Sequence, residues 1–118
     1  MNNSNNNSAT ERSIGCIFNA VERATSVTTE QILSTSRKRQ FVKARMIIAH
    51  HLRYLLRLTL KQVAEIMGRK SYQAIMHLLV QYDLDYQFSP GFSNLADNIT
   101  EILINSIEQQ TKPCITQC

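Results

Sequence analysis

The sequence has no tryptophan, two prolines and three glycines, and these shortages exclude a turn-rich β architecture. A sandwich or small barrel needs a turn signal about every 8–12 residues, and the chain does not supply them. Its three cysteines, Cys16, Cys114 and Cys118, are odd in number and show no metal-ligand spacing, so neither a disulfide framework nor a zinc site is indicated. Cys16 falls in an apolar helical pattern and reads as a small core residue. No apolar run approaches a membrane span, and the opening MNNSNNNSAT lacks the apolar core of a secretory signal. A cytoplasmic protein is therefore expected, and the sequon Asn98-Ile99-Thr100 carries little meaning.

The glycines also miss the phosphate-cradling spacing GxxxxGK[ST], so no bound nucleotide and no ATP hydrolysis are expected. His50, His51 and His77 do not form HExxH, and neighbouring histidines on a helix point about 100° apart. One of the pair is expected at the surface and the other half-buried. No Ser/His/Asp or Cys/His arrangement stands out. The reading is non-enzymatic, with no cofactor and no metal.

Acids are scarce where bases are dense. Between Ser36 and Lys70 lie ten of the thirteen Lys and Arg residues, against the single acid Glu65. The remainder of the chain is net acidic, although the whole carries +4. Such a partition marks a polyanion-binding face; the alternative is a solvated face with nothing opposite it.

The periodicity is helical throughout. Residues 1 to about 10 form an Asn/Ser low-complexity tail with nothing to bury, expected to be disordered. From Ser13, Ile14, Ile17, Phe18, Val21 and Ala24 or Thr25 recur at helix spacing. Thr28-x-x-Gln31 resembles a capping box opening a short helix. The longest helix is expected from about Arg39 to Leu56, with Phe41, Ala44, Ile48, Leu52 and Leu55 on its buried stripe and Lys43, Arg45 and Arg53 flanking it. Thr59-x-x-Gln62 repeats the capping box before a helix under two turns long, with Val63 and Ala64 inward. Gly68 suits a turn that needs positive φ.

The next helix runs from about Ser71 to Tyr86. It places Ile75, Leu78, Leu79, Tyr82 and Tyr86 on the core side and Tyr72, Gln73, Met76 and Val80 opposite. Ser89-Pro90-Gly91 breaks it, and Ser93 caps a last helix burying Leu95, Ile99, Ile102, Leu103 and Ser106 or Ile107. Residues 110–118 should fray. The expectation is an all-α, compact bundle of about six helices over residues 11–109, organised around a central helix-turn-helix.

Two pieces, ILSTSRKRQFVKARMIIAHHLR and LTLKQVAEIMG, followed by His77, carry a resemblance to the C-terminal DNA-binding domain (domain IV) of the bacterial replication initiator DnaA. That domain belongs to the all-helical, Trp-repressor-like group. The likeness covers about 80–90 residues, with a looser match at Phe92-Ser93-Asn94-Leu95. It implies that double-stranded DNA is the partner, with a role at a replication origin or in regulating initiation. Within these 118 residues nothing resembles the family's ATPase and oligomerisation domains. The expectation is a stand-alone binding module that does not open an origin alone.

Carried over by residue, the resemblance puts Arg37 of the basic loop in the minor groove, with Lys38, Arg39 and Lys43 beside it. Arg45 and Arg53 match basic residues of the long helix that support DNA contacts. Leu60 and Lys61 match the short-helix start that touches the backbone, and Lys70, next to Arg69, takes the place of an arginine. Where the family reads bases with Gly-Gly-Arg-Asp-His-Ser/Thr-Thr, this chain has Gly68-Arg69-Lys70-Ser71-Tyr72-Gln73-Ala74. Ser71 cannot accept as a carboxylate does, Tyr72 cannot make the imidazole contact, and Ala74 offers only a methyl. Gln73 could pair bidentately with adenine. Altered or relaxed base preference is implied.

Other roles compete for these residues. Arg45 and Arg53 could pair with acids of other helices, Tyr72 could complete the core stripe, and Met76 reads as half core, half contact. The alternative to DNA binding is a protein-interaction module that kept the fold, with Tyr72 and Met76 as its anchors.

Overall fold

The structure is a computed structural model that describes residues 2–111, and the side chains of residues 10–106. Six helices follow in order: α1 (Asn2–Thr25), α2 (Thr29–Leu33), α3 (Arg39–Tyr54), α4 (Leu60–Ile66), α5 (Tyr72–Phe88) and α6 (Pro90–Thr111). Among the described residues there is no strand. The expected all-helical bundle with a central helix-turn-helix is the observed fold.

Local chemistry sets most boundaries. Both capping boxes form: Thr28 and Thr59 each accept from the N3 amide, while Gln31 and Gln62 reach back to the cap amide. Gly68 sits at φ +70° between α4 and α5, a conformation that a side chain disfavours. The connection from α3 to α4 uses a non-glycine residue in that region, Arg57 at φ 59°. Leu58 N–H donates to the Leu52 carbonyl (3.2 Å) and Arg53 Nη1 donates to the Leu58 carbonyl (2.9 Å), which holds this turn closed.

Two boundaries differ from expectation. Helix α1 begins at Asn2, so the Asn/Ser stretch continues a helix instead of starting after it; once nucleated, each added residue gains a backbone bond. Helix α6 begins at Pro90, ahead of the expected cap Ser93, because proline presets φ and lacks only an amide that the first turn does not use. The Ser89 carbonyl accepts from Ser93 N–H at 3.0 Å and opens that helix. The last residues, including Cys114 and Cys118, lie outside the described residues.

Helix α3 is central, packing on α1, α2, α4 and α5, while α6 lies against α1 and α5. Ile17, Val21, Ile47, Ile48, Leu52, Val63, Ile75, Ile99 and Leu103 are fully buried, each stabilising by roughly 1.5–3 kcal/mol. Cys16 is half-buried against this core. Leu55 and Tyr86, expected inside, are exposed. Leu55 lies beyond the last turn of α3, and Tyr86 turns to donate its hydroxyl to Asp97 Oδ1 (2.6 Å).

Candidate nucleic-acid interface

Between α2 and α3 the chain makes a short loop built on serine hydroxyls. Ser34 Oγ donates to the Gln31 carbonyl (2.6 Å) and accepts from Ser36 N–H (3.3 Å); Ser36 Oγ accepts from Lys38 N–H (3.3 Å). Such hydroxyl-to-backbone bonds replace regular pairing in a tight turn. They shape the segment that presents Arg37 and Lys38, both exposed, ahead of the exposed Arg39 at the start of α3. Sequence reasoning did not single out Ser34 and Ser36, although three consecutive hydroxyl residues at 34, 35 and 36 are a readable turn signal.

Arg45 is not at the surface. It is 5% exposed, and its Nε donates to the Ile32 carbonyl (2.7 Å). Its Nη2 donates to the Gln31 carbonyl (3.2 Å) and the Ser34 carbonyl (2.8 Å). Its guanidinium therefore serves the carbonyls at the end of α2, where helix geometry leaves acceptors unpaired. Burial, and then the nearby Arg69 guanidinium, lower its pKa. Arg45 supports the basic loop from beneath. Arg53, half-buried, likewise bonds a carbonyl, and among the described residues neither arginine pairs with an acid.

The helix-turn-helix presents the start of α5 outward. Ser71 caps it, accepting from Gln73 N–H at 3.0 Å, so one of its two lone pairs is engaged by the backbone and its oxygen is held at the helix start. Tyr72 is 53% exposed and Met76 46%, which places both outside the core. Gln73 is exposed and Ala74 half-buried. A helix start directs free amides and a positive dipole end outward, a suitable complement to phosphate. Lys61 in the first turn of α4 and Lys70 before α5 are exposed; Lys43, Leu60 and Arg69 are half-buried. Among the described residues no Lys or Arg is paired with a carboxylate, so these charges are not neutralised internally.

The histidine pair faces α5 and α6. His51 is 4% exposed; its Nδ1 donates to the Ile47 carbonyl (2.8 Å), and the Thr100 hydroxyl lies 2.9 Å from Nε2. His50 is half-buried, with its ring stacked on Tyr82 at 3.8 Å. His50 is thus the half-buried member of the pair, while His51 is buried in place of the exposed one expected, because α5 and α6 cover this side of α3. Burial, and then the neighbouring His51, push His50 down to about 4, and burial also lowers His51.

A histidine held neutral in the fold is protonated more readily when unfolded. Stability should therefore be intact above about pH 6.5 and decline as pH falls from there towards 4. His50→Phe, which keeps a ring on Tyr82, should shrink the difference in Tm between neutral pH and about pH 5. An unchanged difference would remove His50 as its source.

Among the described residues no helix is long and apolar enough to cross a membrane, and no group of three or more His, Cys, Asp or Glu is placed to hold a metal. No curated protein and no solved structure matches the chain significantly. The family model of the bacterial DnaA protein helix-turn-helix matches residues 14–80, which run from the middle of α1 to the middle of α5 and include every element of this face. The chain belongs to the helix-turn-helix family of bacterial DnaA proteins.

Proposed function

We propose that this protein binds double-stranded DNA with the start of α5 in the major groove and the Arg37–Lys38 loop in the adjacent minor groove. The observation that carries this reading is the serine-shaped loop, held from below by Arg45, which presents cations that have no carboxylate partner among the described residues. Phosphate contacts from Lys61, Lys70 and the helix starts would fix orientation, while Gln73 is the exposed side chain best able to read a base. With Ser71 engaged as a cap and Tyr72 and Ala74 beside it, base preference differs from that of the family's usual box. The site is non-catalytic in this reading and acts on an origin or on the regulation of initiation.

The test is binding to random and selected duplexes at low salt. Arg37→Ala should weaken binding to all sequences. Gln73→Ala should change preference at one position of the selected site by about 1–3 kcal/mol. A chain that shifts no duplex but captures a stoichiometric protein partner would support a second reading. The exposed apolar residues Tyr72, Met76 and Val80 along α5 favour it, as anchors of a protein contact.

A further inference from the structure

We propose that Arg69 is a positioning residue that ties the basic loop to the helix-turn-helix, so that the minor-groove and major-groove elements meet a duplex as one rigid unit. The inference rests on the DNA-binding reading above, but the tie itself is a property of the free protein.

Arg69 lies in the turn between α4 and α5, and its backbone is fixed there. Its N–H donates to the Ala64 carbonyl at 2.8 Å, and Gly68 N–H donates to the Glu65 carbonyl at 3.2 Å. From that anchor its Nη2 reaches the carbonyl of Ser34 at 3.3 Å. The same oxygen accepts from Arg45 Nη2 at 2.8 Å. A carbonyl has two lone pairs and can serve both donors. Ser34 is thus pinned to α3 by one arginine and to the α4–α5 turn by another. Two guanidinium groups converge on one acceptor, and among the described residues neither has a carboxylate partner.

The bond has no substitute nearby. Helix α2 packs on α1 and α3. Among the described residues, Arg69 to Ser34 is the only hydrogen bond joining residues 29–38 to residues 60–77. Ser34 in turn orients the loop through its hydroxyl, which accepts from Ser36 N–H. Loss of Arg69 frees the loop to shift relative to α5 while leaving the buried core untouched. A phosphate contact made by Arg69 on its own would leave the loop where it is.

A double-mutant cycle on the full chain separates these accounts. Duplex binding is measured by fluorescence anisotropy on a random-sequence duplex at low salt for Arg37→Ala, Arg69→Ala and the double variant. Each single change is expected to weaken binding about tenfold, and the double variant to be no weaker than the weaker single one. Losses that multiply would show Arg69 acting independently on phosphate and overturn the proposal. Amide hydrogen exchange on the DNA-free protein gives the second readout. Ser36 and Lys38 amides should exchange faster in Arg69→Ala, with α3 core amides unchanged; loop exchange equal to that of the unsubstituted protein also overturns the tie. Absence of duplex binding by the unsubstituted chain would sink the DNA-binding reading, and with it the purpose of the tie, whereas exchange still decides whether the tie exists.

Discussion

Arg45→Ala is expected to lower the unfolding free energy by about 2–4 kcal/mol, with Tm falling by about 4–8 °C for each kcal/mol lost. The reason is an asymmetry in hydrogen bonding. In the native fold one guanidinium satisfies carbonyls of Gln31, Ile32 and Ser34, and the bond to Ile32 lies in the interior. Removing the donor leaves a buried acceptor without water, and it opens a void the length of an arginine stem. Lysine in its place is expected to recover little, because a single ammonium cannot reproduce the fork. Arg37→Ala is the control: it removes a cation from an exposed loop and should leave stability within about 0.5 kcal/mol. Thermal and urea unfolding of the two variants side by side decide the matter. Equal stability for both would place Arg45 among the surface cations.

The second large effect is on binding. If about six phosphates are neutralised, log affinity for a duplex should fall with log salt at a slope of about −5, close to a thousandfold loss between about 50 and about 200 mM. The exposed Arg37, Lys38, Arg39, Lys61 and Lys70, with the half-buried Lys43, are enough charges to reach that number, and among the described residues none is paired with an acid. Removing one exposed cation should reduce the slope by about 1. Removing Gln73 should leave the slope alone, since it bears no charge. A flat salt response would exclude polyelectrolyte binding altogether and leave the protein-contact reading of the α5 surface.

The long elements were legible because their signals are local. Apolar spacing defined α3 and α5, and Thr28/Gln31 and Thr59/Gln62 announced two helix starts that the structure forms as read. Gly68 marked its turn. The ends of the chain were less legible. A run of asparagines carries no core signal, yet backbone bonding extends α1 through it, and proline at 90 starts a helix that reads in sequence as a break.

Arg45 is the instructive residue. It occupies the stripe of Phe41, Ile48 and Leu52, four residues after the first and three before the second, so its position on the helix was already the buried one. Its charge argued for the surface. The two signals conflict, and only the neighbouring α2 resolves them by offering carbonyls at the right distance.

The sequence by itself determined the helices, their order, the helix-turn-helix and the concentration of positive charge in one third of the chain, because periodicity, capping and composition act over a few residues. Which of those cations face outward, which brace the loop, and which carbonyl two arginines share was decided by the tertiary structure. These depend on contacts between residues 11 to 35 positions apart, and no local pattern encodes the distance between a side chain and a backbone oxygen that meet only after the chain has packed.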